Sequence, residues 1–128
     1  MSAMSDYLEN AFLDHFTGRA STSAPAAVYL GLSTASMNDD DSGTELSGSG
    51  YARQAITFAA AASASISSNA AAEFPAATGS WGSVSHWAIY DAATSGNQLF
   101  HGSFATAKTI ATGDILKVAS GDLTITAA

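Results

Sequence analysis

Chemistry in this chain would have to start from a few side chains. The segment Asn38-Asp-Asp-Asp-Ser-Gly43 clusters the carboxylate oxygens that hard cations take as ligands. With Asn38 at loop position 1, Asp40, Ser42 and Gly43 fall at positions 3, 5 and 6 of an EF-hand loop. Position 12 is then Ser49, where that loop needs a bidentate Glu, so the segment reads as a solvated acidic loop. The only imidazoles are His15, His86 and His101, and zinc would need them, or a carboxylate, to converge. A hairpin closing with Asp91 opposite Asn97 would set His86 against Gly102 and His101 on an adjacent rung. Lone histidines in β-domains more often serve as hydrogen-bonded core or interface groups, so no metal is expected.

Nucleophilic and acid–base chemistry fare no better. Ser49 sits between Gly48 and Gly50, in a glycine-rich loop rather than on the strand-to-helix turn of a Gly-x-Ser-x-Gly elbow. The carboxylates concentrate in turns and in the acidic loop, not as a pair across a cleft. There is no cysteine, hence no thiol nucleophile, thiolate ligand or disulfide. The expectation is a protein with no catalytic residues and no cofactor, not an enzyme.

Composition points the same way. Of 128 residues, 47% are apolar and only 12% charged, against about 25% in an average soluble domain. Ser, Thr, Gly, Ala and Asn must therefore cover much of the surface, and such a face is easy to desolvate against a partner. Four Lys and Arg against 11 Asp and Glu give a net charge of −7, with no basic stripe to neutralise phosphates. Neither nucleic acid nor an anionic membrane is an expected partner. The apolar run around Phe58 to Ala62 is far shorter than the ~20 residues of a membrane span, and no basic, then apolar, leader opens the sequence.

The elements that must position any site are one helix and a series of strands. A helix is predicted over Ser5 to Phe16, with Ser5 or Asp6 as cap, Asp6 and Glu9 in the first turn and Gly18 as stop. Met4, Leu8, Phe12 and Phe16 recur every four residues and share a stripe with Ala11 and His15. That stripe either caps the domain's own core or docks on a neighbouring subunit. Beyond it the period drops to two, giving strands at Val28 to Ser33 and Tyr51 to Phe58, with a weaker one between Ala64 and Phe74. Gly82 to Asp91 carries Trp87 and Ile89 on one face and Val84, Ala88 and Tyr90 on the other, the pattern of a strand buried on both sides. Asp91 to Asn97 is a hairpin turn leading into Leu99, Phe100 and onward to Phe104. Short strands follow at Lys108–Ile110, Ile115–Val118 and Leu123–Thr126. About eight such strands predict a mainly β protein, an antiparallel β-sandwich (residues 19–128) behind an N-terminal helical arm (residues 1–18). The acidic stretch Met37 to Gly50 is the longest irregular segment, read as a surface excursion.

The segment Phe74-Pro-Ala-Ala-Thr-Gly-Ser-Trp-Gly-Ser-Val-Ser-His-Trp-Ala-Ile-Tyr-Asp-Ala-Ala-Thr-Ser-Gly-Asn97 holds both tryptophans and resembles a core shared by small virion proteins of tailed bacteriophages. Tyr7 to His15, Pro25 to Thr34, Gly50 to Phe58 and Gly113-Asp114 resemble that family's other blocks in the same order, so the resemblance covers most of the chain. It implies a jelly-roll-like sandwich and a structural role, as a capsid cement or decoration protein on the outer surface of the head. The implied partner is the major capsid protein. A closed homo-oligomer, a dimer by default, is expected as well. The alternative is a tail-associated adhesion module that recognises a host glycan or surface protein. Contact with partners is expected from Leu8, Phe12 and Phe16, from Trp81 at a turn, and from Ile125; Trp87, Ile89, Tyr90, Leu99 and Phe100 are expected to build the core hairpin.

Overall fold

The computed structural model describes residues 2–127. The chain is mainly β. It opens with a short strand, β1 (Ser2–Met4), then one helix, α1 (Asp6–Phe16), then eight strands: β2 (Val28–Ser33), β3 (Gln54–Ile56), β4 (Ser65–Ser67), β5 (Ala72–Glu73), β6 (Gly82–Tyr90), β7 (Gln98–Ile110), β8 (Lys117–Val118) and β9 (Thr124–Thr126). A five-stranded sheet runs in the order β1-β7-β6-β2-β3, and β4 with β9 and β5 with β8 form two separate two-stranded ladders. Every strand pairing is antiparallel.

The core lies between the large sheet and these ladders. Leu30 and Leu32 of β2, Ile56 of β3 and Trp87 and Ile89 of β6 share one buried cluster with Ala72 of β5, Val118 of β8, Ile125 of β9, Phe74 and Trp81. A second layer made of two short ladders packs on the sheet, the layered arrangement that an alternating apolar pattern needs to hide its inner face. Full burial of each large apolar side chain contributes roughly 1.5–3 kcal/mol. Phe74, Leu30, Leu32 and Ile89 are all nearly inaccessible.

Four particulars differ from the sequence reading. Residues 2–4, assigned to a helical arm, form an edge strand on β7, with Met4 opposite Phe100. The two strands expected at Leu99–Phe104 and Lys108–Ile110 are one 13-residue strand. The weak strand between Ala64 and Phe74 is two, β4 and β5, parted at Ser68, whose hydroxyl and backbone bond the Gly121–Leu123 turn instead.

The fourth concerns β6. Asp91 N–H does donate to Asn97 O at 3.2 Å, closing the hairpin as expected. A register shift between Ile89 and Tyr90 then displaces the ladder by one residue, so His86 faces Ser103, not Gly102. A second shift sets Val84 opposite Lys108 while His86 pairs with Ser103. At this second irregularity the in-out alternation of β6 changes phase. Val84 accordingly joins Trp87 and Ile89 in the main core, while Ala88 and Tyr90 pack with Met37 on the other face.

Candidate interaction surface

The side chain of Ser5 starts α1, accepting the Leu8 N–H at 3.2 Å and donating to Gln98 O of β7. One hydroxyl thus caps the helix and fastens it to the sheet. At the other end Thr17 Oγ1 donates to Leu13 O at 2.7 Å, and Gly18 takes φ 78°, the left-handed turn that ends a helix cheaply only at glycine. The chain then folds back, and Thr22 N–H donates to His15 Nδ1 at 3.1 Å. Secured at both ends, α1 nevertheless buries none of its own residues.

The expected stripe divides in two. Leu8 and Ala11 are half-buried on the inner side. Phe12 and Phe16 are 49% and 71% exposed, and Leu13, which the spacing by fours passes over, is 59% exposed. At ~100° per residue, Phe12, Leu13 and Phe16 fall within about 100° of one another on the outer side. The rings of Phe12 and Phe16 touch, with centroids 4.8 Å apart. Tyr7, 47% exposed, borders a groove lined also by Leu8, Pro25, Val28, Leu99 and Phe100. Leu13 and Tyr7 were legible only by asking which apolar residues the inner stripe leaves over.

The other residues expected at a contact surface lie inside. Trp81 is 5% exposed; its Nε1–H donates to Ser49 O at 2.9 Å, and its ring meets Tyr51 and Phe74 edge-on. Ile125, also 5% exposed, points into the core opposite Ile66. Both are corrected from contact to core residues, because their surface is already covered by their own chain. Trp87, Ile89, Tyr90 and Leu99 are buried, and Phe100 is partly buried against the same core.

The acidic loop is fastened along its length. Leu46 N–H donates to Leu32 O, and Ser33 Oγ donates to Thr44 O. Glu45 holds Arg53 through two hydrogen bonds, Nη2 to Oε1 at 2.8 Å and Nε to Oε2 at 2.9 Å. The same guanidinium donates to Ala92 O and Ser95 O and lies 3.4 Å from the centre of the Tyr90 ring. Tyr51 donates its hydroxyl to Glu45. Burial, then the Glu45 carboxylate, pushes the phenols of Tyr51 and Tyr90 well above the ordinary tyrosine range. Sequence alone gave no sign of this knot, whose members are brought together from three separate segments.

The imidazoles do not converge. His15 is taken by Thr22, His86 Nδ1 bonds Ser85 Oγ, and His101 Nε2 lies 2.5 Å from Asp39 Oδ1. Within the acidic loop, Asn38 Nδ2 donates to Ser42 Oγ and Ser42 N–H to Asp40 Oδ1, so these groups bond one another rather than forming an EF-hand. The carboxylates that do meet are Asp6 and Glu9 of α1 with Asp39, whose oxygens lie within 4.8 Å of one another.

A protein of this architecture, acidic and with an outward aromatic helix face, is matched over residues 3–126 by a family model described as podophage GP4 fiber I protein gp80. The chain belongs to this family. Membership makes it a bacteriophage virion structural protein, and places it in the virion. No curated protein matches the chain. The gp80 family description names a fiber.

Proposed function

We propose that the chain is a fiber-type structural subunit of a podophage virion, fixed in the particle by the outward face of α1. The observation that carries this reading is the exposed group Phe12, Leu13 and Phe16, on a helix whose start is fastened to β7 through Ser5. An exposed apolar patch of that kind is a mark of a protein interface. The partner is another virion protein or a second copy of this chain, and repetition of the contact would multiply weak binding by ~10²–10⁴ through avidity. The role is structural, without a catalytic step.

A second reading, cement on the outer head surface bridging subunits of the major capsid protein, is favoured by a different feature. Strands β2 to β9 all contribute to one main core, a form suited to a plug between capsomers. Copy number separates the two. Purified virions, split into heads and tails and quantified against the capsid protein, should show a few copies travelling with tails. Hundreds of ordered copies on heads would overturn the fiber reading in favour of cement.

A further inference from the structure

We propose that a cleft beside the C-terminal half of β7 binds an acidic saccharide, a sugar that carries a carboxylate, through Lys108, Lys117 and Asp122. The site shares no residue with the outward face of α1 and stands apart from the structural role given above. The chain has only two lysines, and both line this one cleft of about 100 Å³. Its other two cations are engaged elsewhere, Arg53 with Glu45 at 2.8 Å and Arg19 near Asp14 at 3.9 Å. Lys108 and Lys117 are exposed, and among the described residues their side chains make no ion pair or hydrogen bond. Glu73, opposite Lys117 in the β5–β8 ladder, forms no ion pair with it either. On a chain of net charge −7, two unpaired ammonium groups brought together from β7 and β8 depart from the acidic character of the whole.

The backbone beside the cleft is built out as well. β6 and β7 pair at His86–Ser103 and again at Val84–Lys108, so four residues of β7, Phe104 to Ala107, answer the single Ser85 of β6. None of the four pairs with β1 on the other side. Extra residues of this kind occur next to binding sites, where they re-aim side chains. Here Phe104 and Thr106 of the bulge line the cleft together with Lys108. A neighbouring cleft of about 280 Å³ is lined by Ser103, Phe104 and Asp122, so Phe104 and Asp122 are common to both. The hydroxyls of Ser103 and Thr106 have no hydrogen-bond partner among the described residues.

Asp122 decides the class of ligand. A carboxylate on the lining of a lysine cleft opposes a plain anion, a phosphate or an acidic peptide, whereas it accepts hydrogen bonds from hydroxyl groups. A ligand that gains from both lysines and from Asp122 has one negative group and several hydroxyls, which is the chemistry of a uronic or sialic acid. The half-buried Phe104 offers apolar surface to the C–H groups of a sugar ring, and Ser103 and Thr106 add free hydroxyls. Both clefts are smaller than the ~300–1,000 Å³ of a site for a drug-sized molecule, so the ligand enters them one unit at a time, as a short sugar chain does.

The test is an NMR titration of the whole chain with cellobiouronic acid and with sialyllactose, each beside its neutral counterpart, cellobiose or lactose, and beside an acetylated glutamate dipeptide. Saturable shifts of the backbone amides from Ser103 to Lys108 and of Asp122 are expected with an acidic sugar. The neutral counterpart and each of Lys108→Ala and Lys117→Ala should bind about threefold or more weaker, and the double variant about tenfold or more, the size expected of exposed charge contacts. Arg19→Ala should leave binding unchanged. Asp122→Ala gives the sharpest sign, because it weakens a sugar that donates hydroxyls to the carboxylate but tightens any plain anion. No saturable shift with either acidic sugar, equal binding of the neutral sugar or of the dipeptide at the same amides, or tighter binding by Asp122→Ala would overturn the proposal.

Discussion

At the scale of single residues, one position that resists replacement is a glycine with an ordinary backbone. A Cβ on Gly31 would stand 2.8 Å from Glu45 Oε2, 2.8 Å from Tyr90 Cε2 and 3.1 Å from Tyr51 Oη. None of these neighbours is free to retreat. Glu45 is held by Arg53 in two hydrogen bonds, and Tyr90 is buried under the guanidinium. Gly31→Ala is therefore expected to destabilise the protein by about 1–3 kcal/mol, the range for overpacking a filled site, measured by urea unfolding. A change under ~0.5 kcal/mol would mean that the Glu45–Arg53 knot is looser than its hydrogen bonds imply.

At the scale of elements, α1 contributes little to its own domain's core and presents much to the outside. Exposed positions away from special contacts change stability by within about 0.5 kcal/mol when substituted. Phe12→Asp should accordingly leave the melting temperature of the isolated protein nearly unchanged, yet abolish its incorporation into virions. Normal incorporation would sink the role given to this face. β7 is the opposite case, the central organiser of the sheet. It pairs with β1 on one side and β6 on the other, and its first residue, Gln98, accepts from the Ser5 cap of α1 and donates to Asn38 of the acidic loop.

For the whole molecule, the response to alkali follows from the buried phenols. Tyr51 and Tyr90 have folded-state pKa values raised above the unfolded value of about 10. A raised pKa stabilises the fold fully below the unfolded value, and that contribution is lost as pH rises past it, because only the unfolded chain ionises readily. Melting temperature should thus fall from about pH 10 upward. Tyr90→Phe, which keeps the ring under Arg53, should fall less steeply over the same range; an unchanged slope would remove Tyr90 from this account. An acidic chain gains further negative charge in that range, adding self-repulsion to the loss.

The sequence by itself determined what depends on neighbours in the chain. The capped, glycine-ended helix, strands at Val28–Ser33 and Gly82–Tyr90, the Asp91–Asn97 turn and the mainly β class all follow from local period, caps and turn residues. Tertiary structure alone decided which apolar groups face inward. The irregularity between Val84 and His86 goes with Val84's place on the Trp87 side, a change invisible to alternation because the pairing partner strand takes part in it. Trp81 and Ile125 went to the core and Phe12 and Phe16 to the surface, since burial depends on what the rest of the fold brings over each side chain. The meetings of Glu45 with Arg53 and of Arg53 with Tyr90, and of Asp6 and Glu9 with Asp39, belong to the same class. Such long-range contacts leave no period in the sequence, because loops and strands far apart in the chain supply one group each.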